Sequence, residues 1–115
     1  MLVNLVTLEE WANGDVGTMK EIIRIFVDKT PPTFSLLQGA IDQQNWDGIA
    51  QHAHKLKSSY GIVVIGNSLH VIQEVEQLAK SQKDLDQIKS KFGEIQRMYA
   101  TALTEFEDFY AKNPV

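Results

Sequence analysis

The chain has 115 residues, 43% hydrophobic and 23% charged, which is one domain's worth with a core able to bury roughly two thirds of the unfolded surface. The absence of cysteine excludes disulfide scaffolds, thiolate metal sites and thiol nucleophiles, and it suits a reducing cytoplasm. A formal charge of −4 argues against broad nucleic-acid binding, which needs a basic surface to displace counterions from phosphates.

From the N-terminus, TLEEW offers Thr7 as a helix cap with Glu10 three positions on, and NGD ends that short entry helix within about two turns. Asp15 caps a second segment in which Met19, Ile22, Ile23 and Phe26 recur at helical intervals. Pro31 and Pro32 then remove two backbone donors, which predicts a kink or a break. The stripe resumes with Phe34, Leu37 and Ile41, so the two halves read as one long bent helix ending at DQQN.

Asn45 caps a third helix whose Ile49, Ala53, Leu56, Tyr60 and Val63 fall three and four apart. The β-prone run IVVI at 62–65 reads as the buried end of that helix and its turn. Gly66 and Asn67 mark a turn before a fourth helix with Leu69, Ile72, Val75 and Ala79 inside. After SQKD, a last helix carries Leu85, Ile88, Phe92, Ile95, Met98, Ala102 and Phe106. Short connections make neighbouring helices antiparallel, and the fold expected over residues 1–115 is a single all-α, up-and-down four-helix bundle with a short extra N-terminal helix. Trp11, Trp46, Phe26, Phe92 and Tyr60 are assigned to core or helix-end packing.

The chemistry concentrates in AHKLKSSYG, residues 53–61. On a helix, His54, Lys57, Ser58 and Gly61 share a face at offsets of three, four and seven. His54 lies next to Ala53 of the inward stripe, at the border of core and water. An imidazole of ordinary pKa, near 6.5, is about three quarters neutral at pH 7, which leaves a ring nitrogen free to attack phosphorus. Lys57, one turn on, offsets the charge of the phosphoryl group, and the small Ser58 and Gly61 leave room for another protein's loop. His52 stands about 200° around the helix from His54, and His70 has no second ligand at helical spacing, so both read as structural or solvated.

Together with the preceding NGDVGTMKEIIRIFVDKTPPTFSLLQGAIDQQNWDGIAQHAH, this stretch resembles the histidine-containing phosphotransfer (HPt) domain of multistep phosphorelays. The resemblance runs from about Leu8 to Lys80 by motif and to the C-terminus by helix pattern. Members carry a histidine, any two residues, a lysine and a small residue, usually glycine, with a Leu-Glu or Leu-Gln pair near the end of the next helix. The resemblance implies that His54 is the phosphoacceptor, that Lys57 stabilises the phosphoryl group, and that Glu76 orients the imidazole. It also implies a receiver-docking surface that includes Lys55, Ser58, Gly61 and Lys80. The chain departs from the pattern at Ser58, in place of glycine, and at Val64, where many members have a turn glycine that here comes at Gly66.

What the resemblance further implies is a monomer that needs no metal or cofactor of its own. Magnesium comes from the partner, and the partners are response-regulator receiver domains and a hybrid sensor histidine kinase. There is no glycine-rich phosphate loop or Walker lysine, so the chain is not expected to phosphorylate itself. The dimerisation helix of sensor kinases places an acidic residue after its histidine and a proline soon after, whereas Lys55 follows here. No apolar run approaches the ~20 residues of a bilayer span, and MLVNLVTLEE lacks a basic start, so neither membrane contact nor a secretory signal is expected and the location read is cytoplasmic. Two rivals stand beside this reading: a helical adaptor that binds receivers or other helices without being phosphorylated, and a metal-binding bundle using His52, His54 and His70.

Overall fold

The structure, a computed structural model, describes residues 1–114. Its helices are α1 (Val6–Trp11), α2 (Val16–Asp42), α3 (Trp46–Tyr60), α4 (Ser68–Lys80) and α5 (Leu85–Lys112), with two-residue strands β1 (Val3–Asn4) and β2 (Val64–Ile65). At 1.5 Å per residue α2 and α5 each run about 40 Å, close to the 46 Å long axis of the molecule, and α3 and α4 are about half as long. Each of the four longer helices packs on the next, and α5 returns to α2. The molecule is thus an all-α bundle of four helices with the short α1 set beside α2.

Side-chain caps start three of the long helices as the sequence implies. The Asp15, Asn45 and Asp84 side chains accept from the backbone N–H groups of Thr18, Gly48 and Gln87. Thr7 caps nothing, because α1 already begins at Val6, whose N–H donates to Asn4 Oδ1 at 3.0 Å. Trp11 also departs from expectation and is 66% exposed. Leu8 and Ala12 take the inward face of so short a helix, and Trp11 lies about 60° and 100° around from them.

Pro31 and Pro32 do not interrupt α2. Both rings face solvent, so neither collides with the core. The Val27 carbonyl, which Pro31 leaves without its usual donor, accepts instead from the Tyr99 hydroxyl of α5 at 2.9 Å. Thr30 returns its own hydroxyl to the Phe26 carbonyl at 2.6 Å. A side chain from α5 thereby satisfies the carbonyl that Pro31 leaves open, while Asp28, whose carbonyl loses its donor to Pro32, is exposed.

The IVVI run is not a helix end. α3 stops at Tyr60, and Val64–Ile65 pair antiparallel with Val3–Asn4, Val3 opposite Ile65 and Asn4 opposite Val64. Val64 therefore sits in a strand and has no need of a glycine. The left-handed position falls at Gly66, φ +51°, whose N–H donates to the Leu2 carbonyl at 2.8 Å. The positive φ is what favours glycine there; an added Cβ would meet the tip of the Leu2 side chain at 2.7 Å, which would have to move aside. Glu105 of α5 holds the other side of β1, accepting from the N–H groups of Leu2 and Val3.

Buried residues from all five helices form one apolar core. Phe26 stacks edge-on against Tyr60 of α3 at 5.0 Å and Phe106 of α5 at 6.2 Å, and Phe34 does the same with Phe92 and Tyr99. Such pairs add about 0.5–1.5 kcal/mol each beyond their burial. On α5 the inward position belongs to Tyr99, with Met98 only half-buried. Among the described residues no helix is long and apolar enough to cross a membrane.

Candidate functional site

The site grows out of the packing of α3 on α4. Ala53, Leu56 and Tyr60 bury one face of α3, while Val75 and Ala79 bury one face of α4. Each functional residue lies next to one of these anchors. His54, one step of about 100° from Ala53, turns its ring outward and is 68% exposed. Glu76 follows Val75 and lies in the seam between the two helices, 2% exposed.

Glu76 gathers three basic groups. Its Oε2 lies 3.0 Å from His54 Nδ1 and 3.5 Å from Lys80 Nζ, and its Oε1 accepts from Lys57 Nζ at 2.6 Å. Burial by itself pushes the Glu76 carboxyl up. The hydrogen bonds from Lys57 and His54, with the charges of Lys57 and Lys80, outweigh burial and hold it below its ordinary value. An ionised carboxylate can only accept, so the proton of the short contact belongs to Nδ1 of the ring. That leaves Nε2, on the open side, with its lone pair free in the neutral imidazole.

Two depressions lie on this part of the surface, one of them lined by His54 and both lined by Lys55. One, of about 430 Å³, is lined by Ala50, Gln51, His54, Lys55, Glu76 and Lys80. The other, of about 330 Å³, is an apolar groove between α2 and the end of α3, with Ile22, Ile25 and Ile62 in its walls and Lys29 and Lys55 among its polar members. Ser58 is exposed and lines that groove, and Gly61 is an exposed C-cap of α3. The structure therefore brings His54, Lys57, Glu76 and Lys80 together, with Lys55 at the junction of the two depressions. Ile62 is half-exposed, and the buried Val63 lines the same groove.

Sequence reasoning did not single out Gln51, which lies one turn before His54 in the same depression, or the α2 wall of the groove. A signal for the latter exists, because Ile22 and Ile25 widen the apolar stripe of α2 beyond what the core consumes. His52 and His70 stand apart from this cluster. His52 has a buried Nδ1 without a hydrogen-bond partner among the described residues, and His70 is exposed and 3.7 Å from Glu74. Among the described residues no group of three or more His, Asp or Glu side chains converges as a metal site.

Compared with known families, the chain matches the Hpt domain over residues 21–105. Comparison with curated proteins and with solved structures gives no match. The family match takes in α2 from Glu21, all of α3 and α4, and α5 as far as Glu105, and so contains both helices that build the His54–Glu76 contact. The chain belongs to the Hpt domain family, the histidine phosphotransfer modules that work with receiver domains in phosphorelays.

Proposed function

We propose that His54 accepts a phosphoryl group from the aspartyl phosphate of one receiver domain and passes it to the aspartate of another. The observation that carries this reading is an outward-facing imidazole whose Nδ1 is held at 3.0 Å by a buried carboxylate. In the forward step the Nε2 lone pair attacks phosphorus in line. The Nε2–P bond forms as the P–O bond to the aspartyl carboxyl breaks, and the receiver keeps a free carboxylate. No proton has to move, since Nδ1 keeps its hydrogen throughout. The phosphorylated ring is cationic, and the adjacent Glu76 carboxylate meets that charge as it develops. Transfer to the second receiver is the reverse sequence.

Nothing in the step calls for a cofactor on this side. The magnesium ion and the in-line geometry belong to the receiver's acidic pocket, and the basic groups around His54 complement it. The groove beside Ile62 supplies apolar docking area, with Ser58 and Gly61 keeping the approach low. We read the chain as a cytoplasmic monomer that takes its phosphoryl groups from the receiver of a hybrid sensor histidine kinase.

The test is incubation with a phosphorylated receiver. Acid-labile label is expected on the wild-type chain and not on His54→Gln, with receiver binding retained by both. Binding without label on the wild type would replace this reading with that of a non-phosphorylated helical adaptor.

A further inference from the structure

Three basic side chains crowd one carboxylate, His54, Lys57 and Lys80, and they are not equivalent. Lys57 Nζ is on Oε1 at 2.6 Å, only 28% exposed. Lys80 Nζ is on Oε2, the oxygen that also holds the ring, at 3.5 Å and 57% exposed. The depression that opens beside His54 is lined by Lys80 and Lys55 and not by Lys57.

These differences have opposite consequences for a phosphoryl group on Nε2. Nε2 lies across the ring from Nδ1, which Glu76 Oε2 holds, while Lys57 is committed to the other carboxylate oxygen. For Lys57 to reach the phosphate it must abandon a buried carboxylate through its shortest ionic contact, which leaves that charge short of its main partner. Lys80 gives up only a long, solvent-screened contact, and Lys55 is exposed with its side chain already in the depression. Lysine is suited to such a task because its long stem lets a point charge follow a moving anion.

We propose that Lys80, with Lys55 beside it, contacts the phosphoryl group on Nε2, and that Lys57 is a positioning residue that keeps Glu76 ionised and on Nδ1. The assignment rests on His54 being the acceptor and departs from the role that the sequence pattern gives Lys57. It divides the site into an inner pair, Lys57–Glu76, that fixes the ring, and an outer pair that handles the anion.

Phosphoramidate tests it without any receiver, since ammonia leaves as the Nε2–P bond replaces the donor's P–N bond. Two quantities are read for each variant: the lifetime of the label on His54, and the ring tautomer from ¹⁵N shifts of the unlabelled protein. Lys55→Met with Lys80→Met is expected to change labelling rate or lifetime about fivefold with the Nδ1–H tautomer kept, and Lys80→Arg to retain wild-type behaviour. Lys57→Met is expected to loosen the tautomer preference while the label's lifetime stays within about twofold, and Lys57→Arg to restore it. The assignment is overturned if Lys57→Met shortens the label as much as the double variant should while leaving the tautomer alone, or if the double variant labels like wild type. A wild type labelled by phosphoramidate but not by a phosphorylated receiver refutes the relay reading and leaves the lysine assignment to be judged on these data. A wild type that takes no label from either donor refutes both.

Discussion

The Tyr99 hydroxyl on α5 donates at 2.9 Å to the Val27 carbonyl on α2, the one acceptor that Pro31 deprives of its helical partner. Tyr99 is nearly buried, and burial first, then the Asp28 charge, pushes its phenol up, so it remains an O–H donor through neutral pH. Removing the hydroxyl strands a carbonyl inside the α2–α5 interface. Tyr99→Phe is therefore expected to cost about 1 kcal/mol in chemical denaturation. In a Pro31→Ala background the restored N–H at 31 can take the carbonyl, and the same substitution should cost much less. Equal costs in the two backgrounds would show that Tyr99 is not the carbonyl's partner.

Tyr60→Phe is expected to go the other way. Tyr60 is fully buried on α3, packed edge-on against Phe26, and its hydroxyl has no hydrogen-bond partner among the described residues. Burial pushes that phenol far up, with a smaller contribution from Tyr99, so the group stays neutral and simply unsatisfied. Deleting an unpaired buried oxygen removes a desolvation cost and keeps the ring contacts, which predicts a change between zero and about 1 kcal/mol of added stability. A thermal melt that falls by several degrees would mean the oxygen is bonded after all.

Glu76 ties the site to the acid stability of the bundle. Its folded pKa lies below its ordinary value of 4.5, so the unfolded chain takes up the proton first as the pH drops. The contribution is complete above about pH 4.5 and is lost as the pH falls through the folded value. Glu76→Gln should accordingly lower stability at pH 7 by about 1–3 kcal/mol, as hydrogen bonds to a charged group do. The gap to wild type should close on acidification below pH 4.5. Urea titrations of both proteins across pH 3 to 7 measure it, and a gap independent of pH would mean the carboxylate's charge contributes nothing.

Much of this was readable in advance because helical spacing carries its own geometry. Offsets of three and four put His54, Lys57 and the Ala53–Leu56–Tyr60 stripe where they are found, and the caps at Asp15 and Asn45 fall at their own positions. What escaped depends on partners distant in sequence. Periodicity has no access to the bond between Tyr99 and Val27, 72 positions apart, that takes up the carbonyl Pro31 leaves open. The pairing of Val64 with Asn4 escaped for the same reason, since a two-residue ladder has no pattern of its own. At the site, the offset from His54 to Lys57 says that they share a face. Only the placement of α4 reveals that Lys57 is turned onto Glu76 and that Lys80 shares an oxygen with the ring.

Ile62 gives the sharpest test of how a partner is held. It follows the C-cap of α3 and forms one wall of the groove whose other side is Ile22 and Ile25 of α2, with Lys29 and Lys55 among its lining residues. In the relay proposed above, an apolar trough with cationic members complements a partner with an acidic pocket, and a carboxylate placed in it opposes both features. Ile62→Asp is expected to weaken receiver binding tenfold or more, the effect of losing one well-packed apolar anchor. Because the residue is half-exposed, the bundle's own stability should fall by less than about 1 kcal/mol. Labelling of His54 by phosphoramidate should not change, since the groove lies on α2 and α3 whereas the depression holding Glu76 and Lys80 lies toward α4. If receiver affinity is untouched while the fold and the chemical labelling are intact, the partner docks elsewhere and the apolar width of α2 needs another explanation.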